Sequence, residues 1–497
     1  MANEIELKLA LPANAIRRVL RHPVLQAAKP AGPQQTLLNT YYDTPDLALS
    51  AQRVALRTRK AGRRWLQTVK CAATSLGGLS SRPEWEQAFS GEFDFGAIDN
   101  PAVRQLLEQQ RNRIVPLFTT NFRRRTLIHT PRPGVEIHLM LDQGEVIAGE
   151  RREEICELEL ELVQGKPDDL LALACELAQD LPLRPYDESK AARGYRLFHG
   201  TPLQPRSGSD NPLQASMTPR QALRQLGLQL IADWSSNLNI WQQRPEEPEC
   251  LHQQRVTLRR LRAALRVFAP VWDQADTWRH SLGTLAASLA PAREAEVLTD
   301  MIAAHAAAAP AGIALEGLSD AASEAANQAL AQAYSSDYRE KAAVAMLNLT
   351  RALLALETAA SAGRLEKFAL RALREAHKRA RRRLQRADPN QAQTLHALRL
   401  SLKQLRDSSG FFQTLLPTRK MAKEMRQLGK LVERLGHLND QANAWPQLTR
   451  LGEQQAALGA AAGFVAGCLT VTAAQSRRRT LRDAAAWLKT PKPWDRH

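Results

Sequence analysis

Carboxylates and basic side chains alternate with apolar ones in short runs through the first two hundred residues. The first run is Glu4-Ile5-Glu6-Leu7-Lys8, which as a β-strand places two carboxylates and an ammonium on one face. Burying such a face is costly unless a ligand or a metal ion compensates the charges. The run therefore indicates either a solvated strand face or a charged binding cavity.

The same alternation recurs along this region, with acidic and basic residues in separate runs. In chain order the runs contain Arg57 and Arg59, Thr68 and Lys70, Glu84 and Glu86, Arg123 and Arg125, Glu136, His138 and Asp142, and Glu157, Glu159 and Glu161. The charged faces could lie on the outside of a β-sandwich or inside a closed barrel. Their segregation favours the barrel, because arginines could hold a polyanion that divalent cations bridge to carboxylates. On this hypothesis Arg124 faces outward and is dispensable.

Oxygen donors dominate the candidate metal ligands. Hard divalent cations prefer such donors, and the sequence has no set of His and Cys at zinc spacing. The five cysteines are scattered and include no CxxC pair, which is typical of a reducing compartment. The acidic N-terminus is no signal peptide, and no apolar run is expected to approach eighteen residues, so we expect a cytoplasmic protein without a membrane partner.

The charge of the chain predicts an anionic partner. Its 497 residues carry a formal charge of +17. Aromatic residues make up only 5%, which disfavours base stacking and hence nucleic acid.

The pattern changes from strands to helices after a segment rich in Pro, Ser, Gly and Asn. We therefore predict an α+β chain in which an antiparallel β domain precedes an all-α helical bundle. The predicted parts are the β domain at 1–200, a linker at 201–217, the bundle at 218–485 with repeats at about 218–345 and 346–485, and a tail at 486–497.

The bundle contains a duplicated basic stripe. At about 100° per residue, the members of the first stripe occupy roughly 80° of a helix. The first stripe consists of His252, Arg255, Arg259, Arg262 and Arg266, and the second of His396, Arg399, Lys403 and Arg406. Like charges at this spacing repel one another, and few acidic residues are interleaved. The two stripes predict a paired surface for a polyanion rather than a plain solvated face.

The β domain resembles the CYTH, or triphosphate tunnel metalloenzyme, superfamily, and is most like its bacterial inorganic triphosphatases. Seven stretches match its motifs in order, at residues 4–8, 41–45, 56–59, 82–86, 142–145, 156–161 and 189–195. The resemblance implies an eight-stranded antiparallel tunnel that hydrolyses tripolyphosphate to pyrophosphate and phosphate with Mg²⁺ or Mn²⁺. Phosphoryl transfer of this kind needs charge neutralisation and an in-line water, so we expect no covalent nucleophile.

The same resemblance assigns roles by position. Catalytic residues would be Glu4, Glu6, Lys8 and Lys190. Phosphate oxygens would be bound by Lys8, Arg57, Arg59, Lys70, Arg123, Arg125 and Lys190. The metal would be held by Glu4, Glu6, Glu157, Glu159, Glu161, Asp142 and Glu86. His138 is expected to line or pack the site rather than catalyse.

The helical half resembles the CHAD domain, a duplicated bundle often found beside CYTH domains. The matching residues are His252, Arg255, Arg259, Arg262, Arg266, Arg293, His396, Arg399, Lys403 and Arg406. Gly410 stands where the first stripe has Arg266, which predicts a shorter second stripe. The family implies binding of long-chain inorganic polyphosphate, and such a module could bring the protein to polyphosphate granules.

The sequence thus predicts a metal-dependent inorganic triphosphatase with a helical polyphosphate-binding module. Two alternatives stay open. One is a nucleoside or thiamine triphosphatase, or an adenylate cyclase, of the same superfamily. The other is a non-catalytic scaffold for polyphosphate.

Overall fold

The structure, a computed structural model, describes residues 3–71, 77–206, 208, 213–245, 247–356, 364–416 and 418–495. The predicted linker at 201–217 lies partly outside the described residues. The chain forms two compact units. The first comprises Met1–Ser207, Ile231–Glu246 and Arg339–Ala355, and the second Gly208–Leu230, Glu247–Tyr338 and Leu356–His497.

The first unit is built around antiparallel strands. They are β1 (Asn3–Ala10), β2 (Lys29–Pro30), β3 (Gln35–Asp43), β4 (Val54–Ala61), β5 (Arg64–Cys71), β6 (Leu79–Ala88), β7 (Val115–Arg132), β8 (Val135–Ala148), β9 (Arg151–Gln164) and β10 (Arg184–Pro185). Eight of them follow one another in the order β1-β6-β5-β4-β3-β7-β8-β9, and pairing of β9 with β1 closes the sheet. The predicted eight-stranded antiparallel barrel is confirmed.

The alternation of each strand sorts its side chains between the lumen and the outside. In β1 the charged residues point into the lumen, and Leu7 and Leu9 point outward into a buried apolar cluster. Strands β8 and β9 contribute leucines to the same cluster, and α5 covers it with Leu170 and Leu177. Burial of this outer layer holds the charged faces together around the lumen.

Sixteen α-helices are described in addition to the strands. They are α1 (Ile16–Arg21), α2 (Pro23–Ala27), α3 (Ala48–Ala51), α4 (Pro101–Gln110), α5 (Pro167–Asp180), α6 (Lys190–His199), α7 (Pro219–Gln243), α8 (Pro248–Phe268), α9 (Ala275–Ser288), α10 (Ala290–His305), α11 (Glu316–Ala333), α12 (Ser336–Leu354), α13 (Leu365–Gln385), α14 (Ala392–Phe411), α15 (Thr418–Gln454) and α16 (Gly459–Lys489). The predicted all-α second half is confirmed.

Aromatic and apolar side chains fill the second unit. Phe268 of α8 stacks on Phe368 of α13 with ring centroids 5.1 Å apart, and Phe412, just after α14, packs edge-on against Phe268. Near the C-terminus, Trp494 is fully buried, and Arg374 donates a hydrogen bond to its carbonyl oxygen at 2.7 Å. These contacts anchor the segment predicted as a tail.

One helical stretch, Ala456–Asp495, is long and apolar enough to cross a membrane by length and composition alone. The expectation that no apolar run approaches this length is therefore wrong, since residues 454–476 carry no charged side chain. The stretch packs Val465 and Leu469 of α16 against Leu298 and Ile302 of α10. A core helix of a soluble protein passes the same test, so the finding is weak support for a membrane span.

Candidate active site

The lumen of the barrel is a cavity of about 640 Å³ with a charged wall. Eight basic and six acidic side chains line it. The basic ones are Lys8, Arg53, Arg57, Arg59, Lys70, Arg82, Arg124 and Lys190, and the acidic ones are Glu4, Glu6, Glu84, Glu86, Glu159 and Glu161. A wall of this composition fits a small polyanion together with a metal cation.

Strand register determines which charges face each other across β1. Glu4 lies opposite Arg82 of β6, whereas Lys8 lies opposite Glu159 of β9. Glu6 lies opposite Glu161 of β9. Opposite charges at cross-strand positions stabilise a sheet and like charges destabilise it. The Glu6–Glu161 pair therefore calls for a cation between the strands.

Basic residues neighbouring these glutamates partly compensate them. Lys70 Nζ lies 2.9 Å from Glu4 Oε2 and 2.6 Å from Glu84 Oε2. Arg82 pairs with Glu6 and lies 3.4 Å from Glu4. Burial and the charge of Glu4 raise the pKa of Glu161, which shows that local cations do not fully balance this group.

Two sets of carboxylates could hold a divalent cation. Glu4, Glu6 and Glu161 of the lumen offer the oxygen donors that Mg²⁺ and Mn²⁺ prefer, but in the described structure their oxygens do not all lie within 4.8 Å of one another. Asp142, Glu157 and Glu159, in contrast, bring one oxygen each within 4.8 Å of the others and could hold a metal. In the structure, however, the ammonium of Lys190 lies among these three carboxylates.

Lys190, the first residue of α6, binds this second carboxylate group closely. Its Nζ donates to Asp142 Oδ2 at 2.7 Å, to Glu159 Oε1 at 3.1 Å and also to Glu157. Although burial opposes ionisation, Lys190 and Arg124 hold the pKa of Glu159 well below its usual range. The group is thus an ionised network that fixes α6 to the barrel.

Arg57 and Arg59 of β4 are the basic residues most available to an anion. Arg57 is buried, and its Nε and Nη2 atoms have no hydrogen-bond partner. Its Nη1 lies 3.5 Å from the Tyr41 hydroxyl, and its nearest carboxylate, that of Glu84, is 3.7 Å away. Burial and the neighbouring Arg57 lower the pKa of Arg59 to about 10. A phosphate oxygen would satisfy the open donors of Arg57 and would raise the lowered pKa of Arg59.

On β7 the predicted orientation of the arginines is wrong. Arg123 and Arg125 are exposed on the outside, whereas Arg124 faces the lumen and donates to Asp142 Oδ1 at 2.7 Å. The reason is that α6 packs on the luminal face of this strand. Phe118 and Phe122 therefore point inward, and Arg124 shares their face.

Most of the other predicted site residues lie in or beside the lumen. Glu4, Glu6, Lys8, Arg57, Arg59, Lys70, Glu86, Glu159, Glu161 and Lys190 line the lumen. Asp142 and Glu157 are buried beside the lumen, where both form ion pairs with Lys190. His138 lies 3.2 Å from Glu136 and is absent from the lining of the described cavity.

Several lining residues were missed by the sequence analysis. Arg82 could have been found, because it has the same strand parity as Glu84 and Glu86. Tyr41 and Arg53 carried no such signal. Tyr41 stacks on Phe118 at 4.7 Å, and Arg53 follows the short helix α3 with a positive φ of 59°.

The second unit brings the two basic stripes together. Arg259 of α8 lies 3.6 Å from Asp407 of α14, and Arg266 donates to Gln404 of α14 at 3.2 Å. We call the surface formed by Arg255, Arg259, Arg262, Arg266, Arg399, Lys403 and Arg406 the basic surface. His252 and His396 are exposed at the starts of the stripes, and Arg293 pairs with Glu296 at 2.7 Å.

Positive charge on the basic surface is undercompensated. Burial and the neighbouring Arg259 and Arg399 lower the pKa of Lys403 to about 7. The buried Nε atoms of Arg259, Arg262 and Arg399 have no hydrogen-bond partner. Such a surface can bind an extended anion, because each phosphate would satisfy donors that the protein leaves open.

Comparison with known proteins gives two domain assignments. A CYTH domain is matched at residues 2–195 and a CHAD domain at residues 226–449. A protein from Haemophilus influenzae named inorganic triphosphatase is 32% identical over 203 residues. The match covers 40% of this chain and 55% of that protein, so the chain spans about half of its relative's length.

Two solved structures are similar at lower identity. The CHAD domain from the plant Ricinus communis is 23% identical, covering 59% of this chain and 98% of that one, with a TM-score of 0.47. A putative adenylyl cyclase from Hippeastrum, reported to have a dominant triphosphatase activity, is 20% identical, covering 41% and 100%, with a TM-score of 0.30. Neither similarity supports a functional conclusion at these scores.

Proposed function

The chain carries a CYTH domain followed by a CHAD domain, and we propose that it is a metal-dependent inorganic triphosphatase with a polyphosphate-binding module. The proposed reaction is hydrolysis of tripolyphosphate to pyrophosphate and phosphate in the barrel lumen. The observation that carries it is the closed lumen in which Arg57 presents orphaned donors beside a group of facing carboxylates.

The basic residues of the lumen would bind and orient the triphosphate. Arg57 can donate from Nε and Nη2, and Arg59 is held on the same face of β4. Lys8 belongs to β1, which β6 and β5 separate from β4 in the strand order. Its Nζ lies 3.5 Å from Glu159 Oε1. Several donors around one oligophosphate neutralise its oxygens and fix it for in-line attack, which is most of what phosphoryl transfer requires.

Glu4, Glu6 and Glu161 would hold the divalent cation. When bound, Mg²⁺ or Mn²⁺ supplies Lewis-acid neutralisation of phosphate charge. Lys190 and Arg124 keep Glu159 ionised beside this group and so preserve the negative charge of the wall. We expect water rather than a side chain to attack, because burial raises the pKa of the lumen's Cys71 thiol and disfavours its thiolate.

Phosphate release from tripolyphosphate by the full chain tests the proposal. We expect turnover with Mg²⁺ or Mn²⁺ and none with EDTA. Glu6→Gln should lower kcat by at least about 100-fold, and Arg57→Ala should chiefly raise KM by about 10- to 100-fold. Glu150→Gln, on an exposed turn, is the matched control and should behave as wild type.

The outcomes separate the alternatives. Faster turnover of ATP or thiamine triphosphate than of tripolyphosphate would assign the lumen to a different substrate of the same reaction class. An unchanged rate in Glu6→Gln would refute the metal assignment. Absence of any hydrolysis, with retained polyphosphate binding, would favour the scaffold.

The basic surface would bind long-chain inorganic polyphosphate. Its donors come from both repeats and run along two packed helices, α8 and α14, which suits an unbranched chain of identical charges. Arg255 and Arg293 extend it toward α10. Direct titration with polyphosphate tests this part separately from the enzymatic reaction, since binding needs no Mg²⁺.

A further inference from the structure

Asp407 is an acidic residue at the centre of the basic surface. It follows Lys403 by four positions on α14 and therefore shares its helix face. Its carboxylate lies 3.6 Å from Arg259 Nε and 3.7 Å from Arg406 Nη2, so it contacts both repeats. Only 9% of its side chain is exposed.

The position of Asp407 is the one an incoming phosphate would need. Arg259 has a buried Nε without a hydrogen-bond partner, and 3.6 Å is too long for Asp407 to satisfy it. Both ion pairs are longer than a good charge-assisted hydrogen bond. The carboxylate is thus close enough to neutralise the arginines but does not use their donors.

A tethered carboxylate competes with any anion for the same cations. Its effective concentration is high, because it is fixed to the helix that carries Lys403 and Arg406. A phosphate that binds Arg259 and Arg406 must displace the Asp407 carboxylate, which then lies close to the negative charge of that phosphate. A single phosphate gains few contacts in return, whereas a long chain gains contacts along both stripes.

We propose that Asp407 is a built-in competitor of polyphosphate, which weakens anion binding at the centre of the basic surface so that only a multivalent phosphate chain is retained. The inference rests on the proposed binding of polyphosphate by this unit. It assigns to Asp407 a role opposite to that of a residue that positions Arg259 and Arg406. The two roles predict effects of opposite sign on affinity.

Affinity of Asp407→Asn for long-chain polyphosphate tests the proposal. The full chain is titrated in EDTA, so that the substrate is not turned over, and at about pH 6, below the pKa of Lys403, so that this residue is protonated. The dissociation constant is compared with that of the wild type. Loss of a partly buried charge that opposes binding should tighten the complex by roughly three- to tenfold. Orthophosphate binding, measured by calorimetry, should strengthen in the same direction.

The matched control is Asp483→Asn, which removes an equal charge from the exposed pair with Arg434 on α15. It should leave polyphosphate affinity unchanged, and the melting temperature of both variants reports folding. Weaker or unchanged binding by folded Asp407→Asn would overturn the competitor role.

A pH titration gives a second readout that a merely structural role would not move. Asp407 raises the pKa of Lys403, so its removal should shift the pH dependence of binding to lower pH. Failure of the wild type to bind polyphosphate at all would refute the proposed function of the unit itself, a result distinct from a wrong sign in the variant.

Discussion

Two guanidinium groups of the lumen illustrate how burial decides the use of a charge. Arg57 keeps buried donors without hydrogen-bond partners and is therefore open to a ligand. Arg124 is engaged by Asp142 and Glu159, and burial is offset by these carboxylates so that its pKa rises well above the usual range. A cation without a paired carboxylate is available to bind an anion, whereas a paired one holds the wall of the lumen together.

Neighbouring arginines of β7 allow a direct test of this distinction. Arg124→Gln should destabilise the protein by about 3 kcal/mol, because it leaves Asp142 with Lys190 as its remaining basic partner in the described network. It should also reduce tripolyphosphate turnover. Arg123→Gln, one residue away but exposed, should change neither. Denaturant unfolding and phosphate release measure both effects, and equal behaviour of the two variants would contradict the assignment of faces.

Helix α6 contributes part of the lumen wall of the closed barrel. Ser189 caps its N-terminus by accepting from Ala192 N at 3.1 Å, and Lys190 starts the helix inside the carboxylate group. Farther along, Gly194 packs against the ring of Phe118, and Tyr195 donates to Asp43 at 2.9 Å. The close approach at Gly194 allows the helix to reach the luminal face of β7.

A side chain at Gly194 should disturb this packing. A Cβ there would lie 1.9 Å from a ring carbon of Phe118, so Gly194→Ala should destabilise the protein by about 1–3 kcal/mol. The matched control is Gly429→Ala in α15, where a Cβ meets nothing within 4 Å and the better helix propensity of Ala should be neutral or stabilising. Thermal unfolding compares them; a destabilised control with an unaffected Gly194→Ala would refute the packing argument.

We expect polyphosphate binding to depend on pH through Lys403 of helix α14. The groups acting on it are Arg259 of α8 and Arg399, Arg406 and Asp407 of α14 itself, and burial adds to their net effect. With a pKa of about 7, the Lys403 side chain is about half-protonated at neutral pH when no anion is bound. A bound polyanion would raise that pKa. Affinity should therefore be full below this pH and fall as pH rises, by about tenfold between about pH 6 and about pH 8.

Lys403→Arg tests this effect at a single residue. The variant keeps a permanent positive charge, so its affinity should fall less steeply with rising pH than that of the wild type. Titration calorimetry at several pH values measures the difference. Identical profiles for the two proteins would contradict the role of Lys403.

At the scale of the whole molecule, the formal charge of +17 predicts strong and salt-dependent binding of polyanions. The residues around these charges indicate which class of polyanion the protein would bind. The buried Nε donors of Arg259, Arg262 and Arg399 have no hydrogen-bond partner, and aromatic residues make up 5% of the chain. Nucleobases gain much of their affinity from aromatic stacking, which a phosphate chain does not require.

Long-chain polyphosphate should consequently displace RNA from the full chain. We expect its affinity per charge to exceed that of single-stranded RNA by at least about tenfold near physiological salt, since stacking contributes roughly 1–3 kcal/mol per base where it occurs. Competition titrations at several salt concentrations measure this. If polyphosphate and RNA compete equally at every salt concentration, the surface recognises negative charge alone and the preference for polyphosphate is refuted.

The sequence by itself determined the barrel and most of its lining, because in β1 every second residue is apolar and must face the outer cluster. Leu7 and Leu9 left only one orientation for Glu4, Glu6 and Lys8. The run Phe122-Arg123-Arg124-Arg125 has no such alternation, and its apolar residue faces inward against α6. Local pattern cannot reveal this, since it depends on a helix some seventy residues later in the chain.

Spacing also gave the two basic stripes but not their meeting. Helical periodicity places each stripe on one face, because that depends only on the geometry of a single helix. Only the tertiary structure decided that Arg259 lies beside Asp407 and that Lys190, rather than an open space, lies among Asp142, Glu157 and Glu159. These contacts join residues far apart in sequence, and their energies depend on burial, which the packing of whole elements decides.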